Sequence, residues 1–449
     1  MVEKNYYDVT QWRTGNAYED IGEVINSIIV DIKSRQIESD INEGGKPGAV
    51  ICIPAGDYHL RTQVVIDISY LKIMGSGHGF VSSSIRYNIP ENEWGELHEV
   101  WPGGSRILVD LLPEVHEREE AGAAFYVKRS GNPRISSVEF ENFCIDGLHF
   151  IDDGSGKSKP ENTYINGKTG IYVASAQDSF RITGMGMVYL EHGITVCHAD
   201  ALSIHDNFIA ECGNCIELRG WGQASKITDN LLGAGYKGYS IFAQNFGGLL
   251  ITANNIFPRG ISSVHFDNVS RSVITSNRFH SFYPGMLVFM GNCSENMVSS
   301  NHFLRDNEPW EPMLKYNNGL DDLYGLLRIS GNNNSVIANH ISEKVALRSI
   351  KPLGVKPVII HIVSGKGNYI SANHIVATSE TAQGESSASC FSAQVGALTA
   401  TDELDELDVT TVLVEKESFR NTILDSGNDI QVVMDRTMNT FRAIPMLEI

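Results

Sequence analysis

Hydrophobic and polar positions along this chain alternate in short runs, each broken after a few residues by Gly, Asn or Ser. In "GLLITANNIF" (248–257) and "RSVITSNRF" (271–279), β-branched residues alternate with polar ones and no three-and-four apolar spacing appears. Each run therefore predicts a short strand with one buried face. The runs also recur. An aliphatic residue, two mostly small or polar residues and an Asn occur at Ile204 to Asn207, Ile227 to Asn230, Ile251 to Asn254, Ile274 to Asn277, Val298 to Asn301, Val336 to Asn339 and Ile370 to Asn373. Successive asparagines lie 23, 24, 23, 24, 38 and 34 residues apart. So regular a period predicts a stack of equivalent units. About 23 residues suffice for three short strands and three turns, one coil of a parallel β-helix, and asparagines at equivalent turns can stack as a ladder that satisfies backbone groups a sharp turn leaves free.

Departures from the period predict the rest of the organisation. The coil between Asn301 and Asn339 carries about 15 extra residues, including "EPWEPMLKYNNGLDDLYG", and insertions in solenoids gather on a functional face. Ahead of the repeat, "EDIGEVINSIIVDIKSRQ" sets Ile21, Ile25, Ile28 and Ile32 on one helical face, the amphipathic plug that an open solenoid end needs. "GAVICIPAGDYHL" begins the first coil. Beyond Asn373 the chain turns poor in large apolar residues and rich in Ser, Ala and acid, which reads as a long mobile excursion before a last strand pair, "TTVLVEKE" and "NTILDSGN". The expected division is an N-terminal segment with a capping helix (1–48), a parallel β-helix (49–376), and a lid-like excursion with C-terminal strands (377–449).

Charge narrows the partners. Lys and Arg number 35 against 54 Asp and Glu, a formal net charge of -19, which repels nucleic acid and anionic lipid and favours a neutral small molecule such as a sugar. No run of about 18 apolar residues predicts a membrane span, and "MVEKNYYDVTQW" has no signal-peptide core. Seven scattered cysteines, at 52, 144, 197, 212, 215, 293 and 390, suit reduced thiols and a cytoplasmic location. Cys212 and Cys215 resemble a metal or redox pair, but no second pair or spaced histidines complete a ligand set, so neither a metal nor another cofactor is expected. Gly-rich turns such as Arg219 to Gly222 precede no helix and predict no phosphate cradle.

Carboxylates remain. If Ile216 and Leu218 face inward, alternation sends Glu217 to the outer surface, within a substrate's reach. Asp206 lies eleven residues earlier, in the preceding strand or turn of the same coil. Two carboxyl groups flanking a sugar linkage are the minimum for glycosidic chemistry, one protonating the departing oxygen and the other stabilising or attacking the oxocarbenium-like centre. Exposed acids on so acidic a chain more often only solvate it. Trp221, Tyr236, Tyr283 and Trp310 offer sugar-stacking faces or plain rim packing.

Five stretches, "GMGMVYLEHGITV", "DNFIAECGNCIEL", "NNIFPRG", "FYPGML" and "NNGLDDLYG", in this order, resemble inulin fructotransferases and their relative difructose anhydride III hydrolase. The similarity runs from about Asp8 to Asn373 and resumes at "ILDSGN". The resemblance implies a right-handed parallel β-helix assembled as a homotrimer with sites between subunits. It places the catalytic Glu on Glu217 and its partner on Asp206. The same motifs and the long insertion nominate Glu191, His192, Arg259, Tyr283, Trp310, Asp321, Asp322 and Tyr324 as substrate-binding residues. Transferases of this family release the dianhydride from inulin by attack of a fructose 3-hydroxyl, whereas the hydrolase opens it with water to inulobiose. The absence of an export segment and the long excursion from about Ser379 to Asp408 favour the hydrolase, with the transferase, or both activities in one site, as the alternative. A non-catalytic, carbohydrate-binding or structural β-helix is the reading from a different class.

Overall fold

The computed structural model describes residues 5–35, 48–79, 103–111, 119–131, 134–148, 166–174, 178–234, 238–257, 261–281, 285–305, 325–346, 358–380, 410–425 and 432–443. The fold is a right-handed parallel β-helix with an N-terminal helix, built of three parallel sheets. Its chain forms two compact units, Met1–Asn254 and Asn255–Ile449.

In the first unit, strands of consecutive coils stack in register. One sheet contains Arg181–Thr183, Ser203–His205, Lys226–Thr228 and Leu250–Thr252, which places Ile182, Ile204, Ile227 and Ile251 in an unbroken interior row. A second sheet contains Gly186–Val188, Phe208–Cys212 and Leu231–Ala234, and a third contains Ala123–Val127, Thr169–Val173, His192–Cys197, Asn214–Arg219 and Tyr239–Gln244. All four interior isoleucines are fully buried. Each fully buried aliphatic side chain is worth roughly 1.5–3 kcal/mol relative to exposure.

The expected asparagine ladder is present where the first sheet turns into the second. Asn207 donates through Nδ2 to Oδ1 of Asn230 at 2.9 Å, and Asn230 to Asn254 at 2.9 Å. Each accepting Oδ1 also takes the backbone N–H of the preceding rung. The residue before each of these asparagines, Asp206, Asp229 and Ala253, has φ of 58°, 57° and 56°. That left-handed residue makes the bend, and the ladder satisfies the backbone groups the bend leaves without strand partners.

The capping helix spans Ile21–Arg35 and buries Ile21, Val24, Ile25, Ile28, Ile29 and Ile32. It also supplies hydrogen bonds: Asn26 donates to the Gln63 carbonyl at 2.8 Å and accepts from Val65 N–H at 2.9 Å. Gly22 is obligatory, because a Cβ there would lie 1.7 Å from the Thr62 carbonyl oxygen.

The second unit repeats the scheme with a ladder Asn277–Asn301–Asn339–Asn373 at 2.9–3.0 Å. It adds a second ladder that the sequence pattern did not reveal, Asn296–Asn334–Asn368–Asn421–Asn439. The expected last strand pair forms strands Thr410–Val414 and Thr422–Asp425, but these lie in different sheets of one coil and do not pair with each other. Two further strands, Val432–Val433 and Thr440–Ala443, continue those sheets. Residues 306–324, in the long insertion, and 381–409, in the proposed excursion, fall outside the described residues.

Candidate active site

Glu217 sits in the strand Asn214–Arg219, between Ile216 and Leu218, both fully buried in the coil interior. Alternation turns it outward, in register with Thr195 of the preceding coil. It is nevertheless only 3 % exposed. The exposed carboxylate expected of that register is largely covered, because the side chains of His192, Arg219 and Thr195 all touch it. His192 Nδ1 lies 2.5 Å from its Oε2, and Arg219 donates through Nη2 to its Oε1 at 2.6 Å. Glu119, on the short 3-10 turn Glu119–Gly122, takes Nη1 of the same guanidinium at 2.6 Å and the Thr195 hydroxyl at 2.6 Å.

The arrangement sets the charges. Burial by itself raises the Glu217 carboxyl, but the His192 hydrogen bond and charge, with the Arg219 guanidinium, outweigh it and hold the group below the ordinary carboxylate range. Burial likewise depresses the His192 imidazole, yet its bond to Glu217 and the charges of Glu217, Glu119 and Glu191 bring it above its ordinary value. Both shifts favour the carboxylate–imidazolium form of the pair, with the mobile proton on His192. A glycosidic acid is usually a carboxyl with a raised pKa. As held here, Glu217 is equipped to accept a proton, and His192 to supply one.

Of the other expected site residues, Glu191 accepts from Gly167 N–H at 2.7 Å and places its second oxygen 3.8 Å from His192 Nε2. Asp206 is exposed at the left-handed bend before Asn207, where the first sheet turns into the second, whereas Glu217 is on the third sheet. Among the described residues no hydrogen bond or ion pair joins the two; the imidazole that senses the Asp206 charge is His78. Alanine fills the corresponding bend at Ala253, so the conformation does not require an acid. Arg259, Tyr283, Trp310, Asp321, Asp322 and Tyr324 lie outside the described residues, as does Tyr236. Trp221 is about half exposed and uses its backbone N–H to reach His198.

Thr195, Arg219 and Glu119 were not anticipated. Thr195 stands 22 residues before Glu217, and Arg219 shares its side of the strand two residues on, so the coil period combined with alternation could have nominated both. Glu119 joins from a turn 98 residues away and leaves no sequence signal. Glu119, His192 and Glu217 also bring ligand atoms within 4.8 Å of one another, a cluster the sequence reading did not foresee. Arg219 bonds the other oxygen of each carboxylate, Glu217 Oε1 and Glu119 Oε2, and so already offsets charge that an ion would otherwise meet. Cys212 and Cys215, by contrast, are free, fully buried thiols pointing at the Ala210 and Ile209 carbonyls, and burial pushes Cys212 up to about 12.

Comparison with known proteins follows the same lines. An inulin fructotransferase (DFA-I-forming) of Arthrobacter globiformis is 45% identical over 376 residues, 82% of this chain and 88% of the relative. This chain belongs to the inulin fructotransferase family. A family model described as the β-helix repeat of inulin fructotransferase matches residues 300–445, and one described as the periplasmic copper-binding protein NosD matches 132–313. The crystal structure of DFA-IIIase from Arthrobacter chlorophenolicus A6 in complex with DFA-III is similar at 66% identity and TM-score 0.88, covering 99% of each chain. A form of that enzyme without its lid is similar at 62% identity and TM-score 0.83, over 99% of this chain and 100% of that one.

Proposed function

We propose that this protein is a difructose anhydride III hydrolase, opening the cyclic dianhydride to inulobiose. The observation that carries the reading is the buried Glu217–His192 pair, in a chain two-thirds identical to an enzyme crystallised with DFA-III. Glu217 takes a proton from water as its oxygen bonds to the anomeric carbon. The anomeric carbon–oxygen bond breaks, and His192 returns a proton to the departing oxygen. Because the pair shares a proton, Glu217 serves as base in one direction and, through His192, as acid in the other. Arg219 balances the two carboxylates, and Glu191 helps hold the imidazolium.

Asp206 fits this scheme as a residue supplied by a neighbouring subunit of a homotrimer. Its place at a different corner of the coil from Glu217 supports a site completed across subunits. Arg259, Tyr283, Trp310, Asp321, Asp322 and Tyr324 are proposed to line the sugar, and the cytoplasm is the proposed location. The family's transferase reaction is the second reading, favoured by the 45% identical inulin fructotransferase, itself DFA-I-forming; to release difructose anhydride III the same base would act on a fructose 3-hydroxyl instead of water. Incubating the purified protein separately with inulin and with difructose anhydride III, and resolving the products by chromatography, tests the assignment. Inulobiose from the dianhydride supports the hydrolase, dianhydride released from inulin supports the transferase, and no turnover of either rejects both.

A further inference from the structure

Three histidines align on the outer face of the second unit: His302, His340 and His374, each the first residue after a ladder asparagine and each in register with the next. His340 and His374 are exposed, and their Nδ1 atoms lie 3.0 Å apart. His340 Nε2 is 3.1 Å from the Ser342 hydroxyl on the same strand. If Nε2 carries the proton and donates to that hydroxyl, His340 Nδ1 keeps a lone pair directed toward His374, and only the Nδ1 proton of His374 occupies the gap. His302 packs edge-on against His340 with ring centroids 5.1 Å apart.

We propose that His340 and His374 form a binding site for a divalent transition-metal ion of tetragonal preference, Cu2+ or Ni2+. With metal–imidazole bonds of about 2.0–2.1 Å, two ligands at a right angle stand about 2.9 Å apart, whereas a tetrahedral angle needs about 3.4 Å. The observed 3.0 Å matches the right-angled bite, and tetragonal nitrogen coordination belongs to Cu2+ and Ni2+. The ion sits to one side of the Nδ1···Nδ1 line, each ring turning to aim its lone pair at it, while the displaced proton passes to Nε2 of His374 and water completes the coordination. Ser342 anchors the far nitrogen of His340, the outer-shell contact that metal-bound imidazoles ordinarily have. Binding ties strand His340–Ala346 to strand His374–Glu380.

The test uses the full-length chain without a polyhistidine tag, titrated with Cu2+ by calorimetry and followed by electron paramagnetic resonance for nitrogen coupling. One ion per chain with two-nitrogen coupling is expected. His340→Gln and His374→Gln should each weaken binding by more than about tenfold, and Ser342→Ala by about tenfold. His192→Gln separates this site from the Glu119–His192–Glu217 cluster and should leave Cu2+ affinity unchanged. Circular dichroism confirms that each variant is folded. Unchanged affinity in both His340→Gln and His374→Gln, or loss confined to His192→Gln, overturns the proposal.

Discussion

Replacing Glu217 by Gln keeps the shape of the side chain but only one of its two accepting atoms, and it removes the charge and the ability to hold a proton. Loss of one positioned acid–base group costs about a hundredfold to ten-thousandfold in rate, or about 3–5 kcal/mol of barrier. The structure adds a pH signature. His192 is depressed by burial and brought back above its ordinary value chiefly by its 2.5 Å bond to Glu217 and that carboxylate's charge. In the Gln variant, burial is opposed only by Glu119 and Glu191, so any residual activity should lose its alkaline limb at lower pH than in the parent. In the parent, activity needs Glu217 ionised and His192 protonated, a window bounded below by the lowered carboxyl and above by the raised imidazole. Stability follows the same signs. The Glu217 contribution is complete above an unfolded pKa of about 4.3 and is lost as pH falls through the lower folded value. The His192 contribution is complete below about 6.5 and is lost as pH rises through the higher folded value. The assay is inulobiose release from difructose anhydride III across pH, with near-ultraviolet circular dichroism as the folding control. A folded Glu217→Gln enzyme within about threefold of the parent rate, or one whose alkaline limb stays in place, would refute the reasoning.

Other substitutions separate the remaining parts. Asp206→Asn should abolish most turnover with little change in melting temperature, since Asn tolerates the left-handed bend; mixing these subunits with Glu217→Gln subunits should restore part of the activity if the site spans two chains, and no recovery in confirmed mixed trimers would place both residues in one subunit's site. Asn230→Ala removes a ladder rung bonded to Asn207, Asn254 and the Ile204 carbonyl, and should cost about 2–4 kcal/mol in denaturant unfolding by stranding buried partners; a loss under about 0.5 kcal/mol would mean water replaces the rung. Activity should survive prolonged chelation, because Arg219 already neutralises the clustered carboxylates; recovery on adding a metal after chelator inactivation would assign Glu119, His192 and Glu217 to an ion. Replacing residues 379–408 with a short Gly-Ser linker should raise activity on inulin relative to the dianhydride, and an unchanged ratio in assembled protein would place that selection elsewhere.

The coil period, the first asparagine ladder, the capping helix and the outward register of Glu217 were all legible in the chain, because each depends on local alternation or on a residue repeated at nearly constant spacing. The second ladder, Asn296 to Asn439, was less visible, since its rungs stand 38, 34, 53 and 18 residues apart. What local pattern cannot encode is the environment of a side chain. Glu217 is buried and held ionised because His192, Arg219 and a turn 98 residues upstream converge on it. Asp206 and Glu217 seemed a pair because they are eleven residues apart, yet a coil turns twice over that distance and sets them on different faces. Strand alternation chooses inside or outside for a residue; which charges meet outside is decided by the stacking of coils and the turns that fold back over them.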